Sequence, residues 1–368
     1  MTIRIGTFNA ENLFRRPKVF GVQNNNERKE ILDDFSALVG LLGRDPYTAA
    51  DKRKIAALLK KHRADDDRKS SSRPFFVNQP RGGAKLFTKP PGGGLNIVAG
   101  GRSQWTGWAE LVRDDLGWEA VENTARVIAA VNADVLLTVE VEDRLTLDRF
   151  NTQVLGGVLG KRPYPYNMLI DGNDPRGIDV GILSRHPIEC IRSHIADPGQ
   201  GGQPLFSRDC PEYEIRVNGT RLWILGNHFK SKGFGIAAEN EKKRRAQARR
   251  VRKIYEAALE RSAHVVVAGD LNDTPNSVSI KSLVGGGLRD AMSYPGYTGA
   301  PGTFGTGTSL NQKIDYLMFS PELFSRVQHV DVERRGIWAP KTFKSFLTVT
   351  SKANQASDHG ALFADLDL

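Results

Sequence analysis

Four apolar runs in this 368-residue chain end abruptly at a residue able to bind a cation or carry a proton. IRIGTF gives way to Asn9, DVLLTV to Glu140, RLWILGN to His228, and HVVVAG to Asp270, with Asn272 two positions on. Ser357, Asp358 and His359 extend the set near the other end of the chain. Carboxylates, amides and histidines together suit metal binding and proton transfer, provided the fold collects them. Each also has an ordinary reading: Asn9 and Asn272 as turn formers, Asp270 as a cap, Glu140 as a solvated charge. The recurrence at the ends of apolar runs is the signal, because strand ends on one rim of a sheet bring distant residues together. A Ser357–Asp358–His359 relay is excluded, since neighbouring side chains on an extended segment point opposite ways and no GxSxG elbow exists.

The elements that would position these residues are short and rich in β-branched residues. Strands are expected at Thr2 to Phe8, Asp134 to Val139, Asp179 to Leu183, Arg221 to Gly226, His264 to Ala268 and Lys313 to Phe319. Helical periodicity falls between some of them, at Glu122 to Val131 and Glu239 to Arg261. This mixture predicts an α/β layered sandwich. Arg15 to Trp118 reads as an insertion within one domain spanning residues 1 to 368, a lid or substrate-groove element. It has two amphipathic helices, one with Ile31, Leu32, Phe35, Leu38, Val39 and Leu42 on a face and one with Ile55, Leu58 and Leu59. A Gly/Pro-rich stretch, SSRPFFVNQPRGGAKLFTKPPGGG, follows.

The formal net charge is +10, and the insertion's 20 basic and 12 acidic residues supply +8 of it. The field therefore favours anionic partners without choosing among nucleic acid, phosphorylated metabolite and acidic surface. Two cysteines are too few for a disulfide framework. The opening MTIRIGTFNAENLF lacks a secretory pattern, and no apolar run is long enough for a membrane span, so a cytoplasmic monomer is expected.

Six motifs occur in a telling order: TFNAENL, VEVED around Glu140, NHFKSKG at His228, GDLND at Asp270, KIDYLMF at Asp315 and SDH near the end. In this combination the chain resembles the endonuclease/exonuclease/phosphatase superfamily over most of its length outside the insertion. The resemblance implies a DNase I-like, four-layered α/β sandwich of two packed mixed sheets flanked by helices. It also implies hydrolysis of phosphoesters in DNA, RNA, lipid headgroups or small diesters.

Ligand chemistry then defines a metal site. Oxygens from Asn9, Glu140 and Asp358 make a hard environment that suits Mg²⁺ or Mn²⁺ rather than Zn²⁺, and the seven histidines form no HExxH pair. By resemblance, Glu140 is the principal ligand with Asn9 beside it. The residue before this glutamate is commonly glutamine in the family, and here it is Val139.

The remaining roles also follow the resemblance. His359 is the candidate base or phosphate stabiliser, oriented by Asp315, with a surface salt bridge as the ordinary alternative for that aspartate. His228 faces the phosphate from the opposite side, donating to a non-bridging oxygen or protonating the leaving group, with Asp179 as its orienting carboxylate or as a purely structural one. Asp270 polarises the attacking water, and Asn272 holds a phosphate oxygen. Arg176 and Lys230 are candidate phosphate binders, with Lys232 and Arg208 behind them. The run KKRRAQARRVRK, from Lys242 to Lys253, is either a solvated helix face or a phosphate-tracking ridge. Trp105 and Trp108 are either core anchors or base-stacking platforms.

The leading expectation is a nuclease or phosphodiesterase acting on nucleic acid. The alternative is a phosphatase or phosphodiesterase for a small metabolite or lipid headgroup. A binding module without catalysis is disfavoured, because every expected metal and proton-transfer position is filled.

Overall fold

The computed structural model describes residues 2–13, 18–22, 24–65, 73–91, 93–113, 117–174, 176–233 and 236–368. Arg15, and Ser71, Ser72 and Gly92 of the Gly/Pro-rich stretch, lie outside them. The chain divides into two compact units, Met1–Phe14 with Leu116–Leu368, and Arg15–Asp115. The boundary places Trp118, which the sequence reading included in the insertion, at the start of a helix of the larger unit.

Strand β1 (Thr2–Leu13) shows why the larger unit is layered. Its side chains alternate, so Ile3 and Ile5 enter one apolar cluster while Phe8 enters another on the opposite face, which Leu13 joins beyond the irregular pairing that follows Asn9. A strand buried on both sides needs a sheet beneath it and helices above it. Helix α1 (Trp118–Val131) provides the cover with Val121, Ala125, Ile128 and Val131, and ends at Asn132 in the left-handed conformation. It leads into β2 (Val135–Val141), which pairs parallel to β1. After it come α2 (Arg144–Arg149, running on as a π-helix to Val158), β3 (Tyr166–Leu169), β4 (Asp179–Ser184) and β5 (Ile188–Arg192).

The second half repeats the plan. Strands β6 (Glu212–Val217) and β7 (Thr220–His228) form a hairpin, and helix α3 (Ala237–Leu259) crosses to β8 (Val265–Asp270), parallel to β7. Helix α4 (Val278–Val284), β9 (Arg289–Asp290), β10 (Asp315–Phe319), β11 (Val327–Glu333) and β12 (Ala361–Asp367) complete the unit. The two sheets have the orders β11-β12-β1-β2-β4-β3 and β9-β10-β8-β7-β6-β5. Their inner faces share one core, in which Ile5, Leu137 and Ile182 meet Ile224, Val266 and Leu317. On the outer face of the second sheet, Val251, Tyr255 and Leu283 of α3 and α4 pack on Trp223, Val267 and Tyr316. The layers are therefore helix, sheet, sheet and helix.

The smaller unit has its own core. Helices Asn25–Leu42 and Ala49–Lys61 bury Leu38, Ile55 and Leu59 with Phe75 and Trp105. Val39, placed on the apolar face from sequence, is instead 46% exposed. Trp105 is a core residue whose Nε1 donates to the Tyr47 hydroxyl at 2.8 Å, whereas Trp108 is half exposed and pairs with Glu110.

Candidate active site

Strand direction assembles the site. Each sheet has one parallel pair at its centre, so the C-terminal ends of β1 and β2 share a rim, as do those of β7 and β8. In register, Asn9 is opposite Val139, the residue before Glu140, and His228 is opposite Asp270. The antiparallel neighbours bring their N-terminal ends to the same rim: Asp315 opens β10 opposite Asp270, and His359 lies two residues before β12.

Local backbone then aims the side chains. Glu140 has φ 63° where the pairing of β2 with β1 and β4 is irregular, so the strand bulges and the carboxylate leaves the sheet face. Asn272 (φ 50°) and Glu11 (φ 52°) are also left-handed. Such non-glycine residues are uncommon, and their concentration at one rim fits strain held at a functional site. Gly269 has φ 128°, and a Cβ there would lie 1.9 Å from the Asn227 carbonyl oxygen, so glycine is required immediately before Asp270.

Asp270 is the hub. Its Oδ2 accepts from Asn9 Nδ2 at 3.2 Å and Asn272 Nδ2 at 3.1 Å, and its Oδ1 accepts from the Asn272 amide at 2.8 Å. His228 Nε2 stands 3.8 Å from Asp270 Oδ2 and 3.9 Å from Glu140 Oε1. His359 Nδ1 donates to Asp315 Oδ2 at 2.8 Å, and Thr303 Oγ1 donates to the same oxygen at 2.6 Å. Ligand atoms of Asp270, Asp315 and His359 all lie within 4.8 Å of one another. Asn9, Glu140, His228, Asp270, Asn272, Asp315 and His359 are thus brought together, and Asp358 Oδ1 joins them 3.6 Å from His359 Nε2.

Burial and charge set the two histidines apart. Burial, reinforced by Arg208, Arg176 and His359, holds His228 well below its ordinary pKa, so it is neutral. Burial also opposes charge on His359, but Asp315, Asp358 and Asp270 outweigh it and hold the imidazole well above its ordinary pKa. Burial, with the Asp315 charge, pushes the Asp270 carboxyl up to about 7.

Two expected roles require correction. Asp179 does not orient His228: its Oδ1 accepts from the Gly172 amide at 2.9 Å, and His228 Nδ1 has no hydrogen-bond partner among the described residues. Asn272 cannot hold a phosphate oxygen as it stands, because both its amide hydrogens are engaged, one by the Phe229 carbonyl at 3.2 Å and the other by Asp270. It positions Asp270 instead. Ser357 is equally committed, its hydroxyl donating to the Asn9 carbonyl at 2.7 Å.

A cationic wall adjoins the rim. Arg176 makes a bidentate pair with Asp174, through Nε at 2.9 Å and Nη2 at 2.7 Å. Arg208, its side chain 1% exposed, approaches the same carboxylate with Nε at 3.0 Å. Burial, with Arg208 and Arg176, brings the Lys230 ammonium down to about 8. Lys232 is paired with Asp273. Within the basic run on α3, Arg244 pairs with Asp273, Arg245 with Glu241, Arg250 with Asp197 and Arg252 with Glu256. Sequence reasoning missed Asp174 and Thr303, and neither lies at the end of an apolar run. Glu11, whose carboxylate accepts from the Asp358 amide at 2.8 Å, was present in the TFNAENL motif.

The donor set fits a hard cation at Glu140. No described residue donates a hydrogen bond to its carboxylate, which is about one-fifth exposed, and the nearby Asn9 shares its hub with that rim. A cation among Asp270, Asp315 and His359 would have to displace the His359–Asp315 hydrogen bond, which makes that trio the poorer fit.

The model of the endonuclease/exonuclease/phosphatase family matches residues 119–359. The chain belongs to this family. Its members are hydrolases acting on phosphoester bonds and are typically dependent on divalent metal. Among solved structures, truncated Caenorhabditis elegans TDP2 is similar at 20% identity and a TM-score of 0.48, over 68% of this chain and 90% of that one. A family protein from Leptotrichia buccalis matches at 15% identity and 0.48, over 68% and 93%. Beta toxin from Staphylococcus aureus matches at 17% identity and 0.48, over 67% and 91%. No curated protein matches the chain. Among the described residues, no helix is long and apolar enough to cross a membrane.

Proposed function

We propose that the chain is a Mg²⁺- or Mn²⁺-dependent phosphodiesterase that cleaves DNA or RNA by attack of water on phosphorus. The observation that carries this reading is the joint position of Asp270 with Asn9, Asn272 and His228 on one rim, facing the Asp315–His359 pair and the undonated Glu140 carboxylate. Glu140, with Asn9 and Asp358, would hold the cation, which supplies neutralisation of phosphate charge when bound.

The chain's own residues account for the rest. Asp270, fixed on both oxygens by neutral amides, takes a proton from the attacking water as the new P–O bond forms. The His359 imidazolium, oriented through Nδ1 by Asp315, has a proton to deliver from Nε2 to the departing oxygen as the old P–O bond breaks. Neutral His228 faces Glu140 and Asp270 through Nε2 and donates to a non-bridging oxygen. Arg176 and Lys230 add positive charge on the phosphate side.

A digest of plasmid, single-stranded DNA, RNA and a chromogenic phosphodiester in Mg²⁺ or Mn²⁺ tests this, with EDTA and Glu140→Ala as controls. Nucleic acid should be cut, and both controls should abolish cutting. Cleavage that survives EDTA would contradict metal dependence. Turnover of the chromogenic ester alone would move the assignment to a small phosphorylated metabolite or lipid headgroup.

A further inference from the structure

The Asp315–His359 pair straddles the two sheets. Asp315 opens β10 in one and His359 stands two residues before β12 in the other, so pairing within either sheet does not fix the 2.8 Å bond between them. Residues 302–305 touch both partners. The buried Thr303 donates its hydroxyl to Asp315 Oδ2 at 2.6 Å, the oxygen that also accepts from His359 Nδ1. On the other side, the Thr303 carbonyl accepts from the Gly360 amide at 2.7 Å, and the Gly305 amide donates to the Asp358 carbonyl at 2.7 Å. These two bonds flank Phe304, which forms an antiparallel bridge with His359 and meets its ring edge to face, the centroids 5.0 Å apart.

The Thr303 hydroxyl is fully committed. A hydroxyl offers one proton and two lone pairs. Here the lone pairs accept from the Ile314 amide at 3.3 Å and the Asp315 amide at 3.1 Å, which leaves the proton for Asp315 Oδ2. Amides that donate to a hydroxyl strengthen the bond it donates in turn. The backbone around it is equally tied: the Thr303 and Phe304 amides both donate to the Gln312 carbonyl at 2.9 Å, and the Gly302 carbonyl accepts from Arg334 Nη2 at 2.6 Å. Two buried amides need only an acceptor. The proton aimed at the oxygen shared with His359 is the part that bears on chemistry.

We propose that Thr303 is a positioning residue that fixes Asp315, and through it the His359 imidazole, across the junction of the two sheets. Delivery of a proton by that imidazole rests on the phosphodiesterase reading above, whereas its placement does not.

Two measurements test placement and chemistry separately. Nuclear magnetic resonance on isotopically labelled histidine, assigned with His359→Gln, reads the Nδ1 proton of His359, which a carboxylate 2.8 Å away moves downfield. Thr303→Ser keeps the hydroxyl and should keep this signal. Thr303→Val should shift or broaden it, and so should Thr303→Ala, in which a water can satisfy the two amides and preserve the fold. In steady-state kinetics on the chromogenic phosphodiester, Thr303→Val and Thr303→Ala should lower kcat by about ten- to a hundredfold with little change in KM, and Thr303→Ser by less than about threefold. In a His359→Gln background the same two substitutions should cost less than about twofold, because residues acting as a unit are not additive. An unmoved imidazole signal in the Val and Ala variants, a loss in Thr303→Ser equal to theirs, or an undiminished loss in the absence of His359 would overturn the positioning role. If the wild type cleaves no phosphoester while the imidazole signal depends on the Thr303 hydroxyl, the positioning role stands and the phosphodiesterase reading falls.

Discussion

His228 and His359 share one rim yet hold opposite protonation states, and the difference comes from their partners. His359 has a carboxylate 2.8 Å from Nδ1, whereas among the described residues His228 has no hydrogen-bond partner on Nδ1 and has two arginines nearby. Asp315→Asn keeps the shape of the pair but removes the charge that protonates His359. Its kcat should fall by about 10²- to 10⁴-fold with little change in KM, measured by steady-state kinetics. An unchanged kcat would remove His359 as the proton donor. Asp179 gives a second prediction, now about stability. Burial pushes its carboxyl up to about 7, above the ordinary aspartate value of 3.8. The folded state thus binds more protons than the unfolded one between those values, so the protonated form's stability is present at low pH and is lost as pH rises towards 7. Asn can still accept from the Gly172 amide without that cost. Asp179→Asn should therefore raise the melting temperature relative to wild type more at pH 8 than at pH 4, in parallel thermal melts. A difference that does not depend on pH would refute the buried-carboxyl account.

Two β-α-β crossings, β1-α1-β2 and β7-α3-β8, explain why the site was readable before any fold was known. Parallel strands end on the same side, so a polar residue terminating an apolar run marks the rim, and Asn9, Glu140, His228 and Asp270 all carried that mark. Antiparallel partners contribute their beginnings, which have no such signature, and Asp315 and His359 were placed through motif resemblance instead. Strand β12 was missed although Ala361–Asp367 is mostly buried, and so were β6 and β11, whose partners are set by tertiary pairing. Hydrogen-bond commitments were illegible too: the spacing of Asp270 and Asn272 cannot reveal that both Asn272 amide hydrogens are taken. The backbone at the end of β8 carries a prediction of its own. Gly269→Ala adds a methyl group where φ is 128° and the Asn227 carbonyl blocks it. Relieving that clash must separate β8 from β7, and with them Asp270 from His228. Denaturant unfolding should show a loss on the order of 1–3 kcal/mol or more, and activity should fall further than the folded fraction does. Full activity in the variant would show that this stretch of backbone tolerates displacement.

At the scale of the whole molecule, charge and chemistry are divided. The family match begins at residue 119, every catalytic candidate lies in the larger unit, and the Arg15–Asp115 unit has its own apolar core and +8 of the net +10 charge. A separately packed unit inserted between a strand and a helix should be removable without unfolding its host. Replacing residues 15–115 by a Gly/Ser linker should therefore leave a cooperatively folding protein that still turns over a chromogenic phosphodiester. If the inserted unit lines the path of a nucleic-acid chain, the same excision should weaken DNA binding and flatten its dependence on salt, since fewer phosphates are neutralised. Binding titrations across a salt series, alongside ester kinetics, separate the two contributions. Loss of ester turnover in a folded excision variant would mean that the inserted unit shapes the reacting site itself, and an unchanged salt slope would show that its positive charge serves something other than a polyanionic substrate.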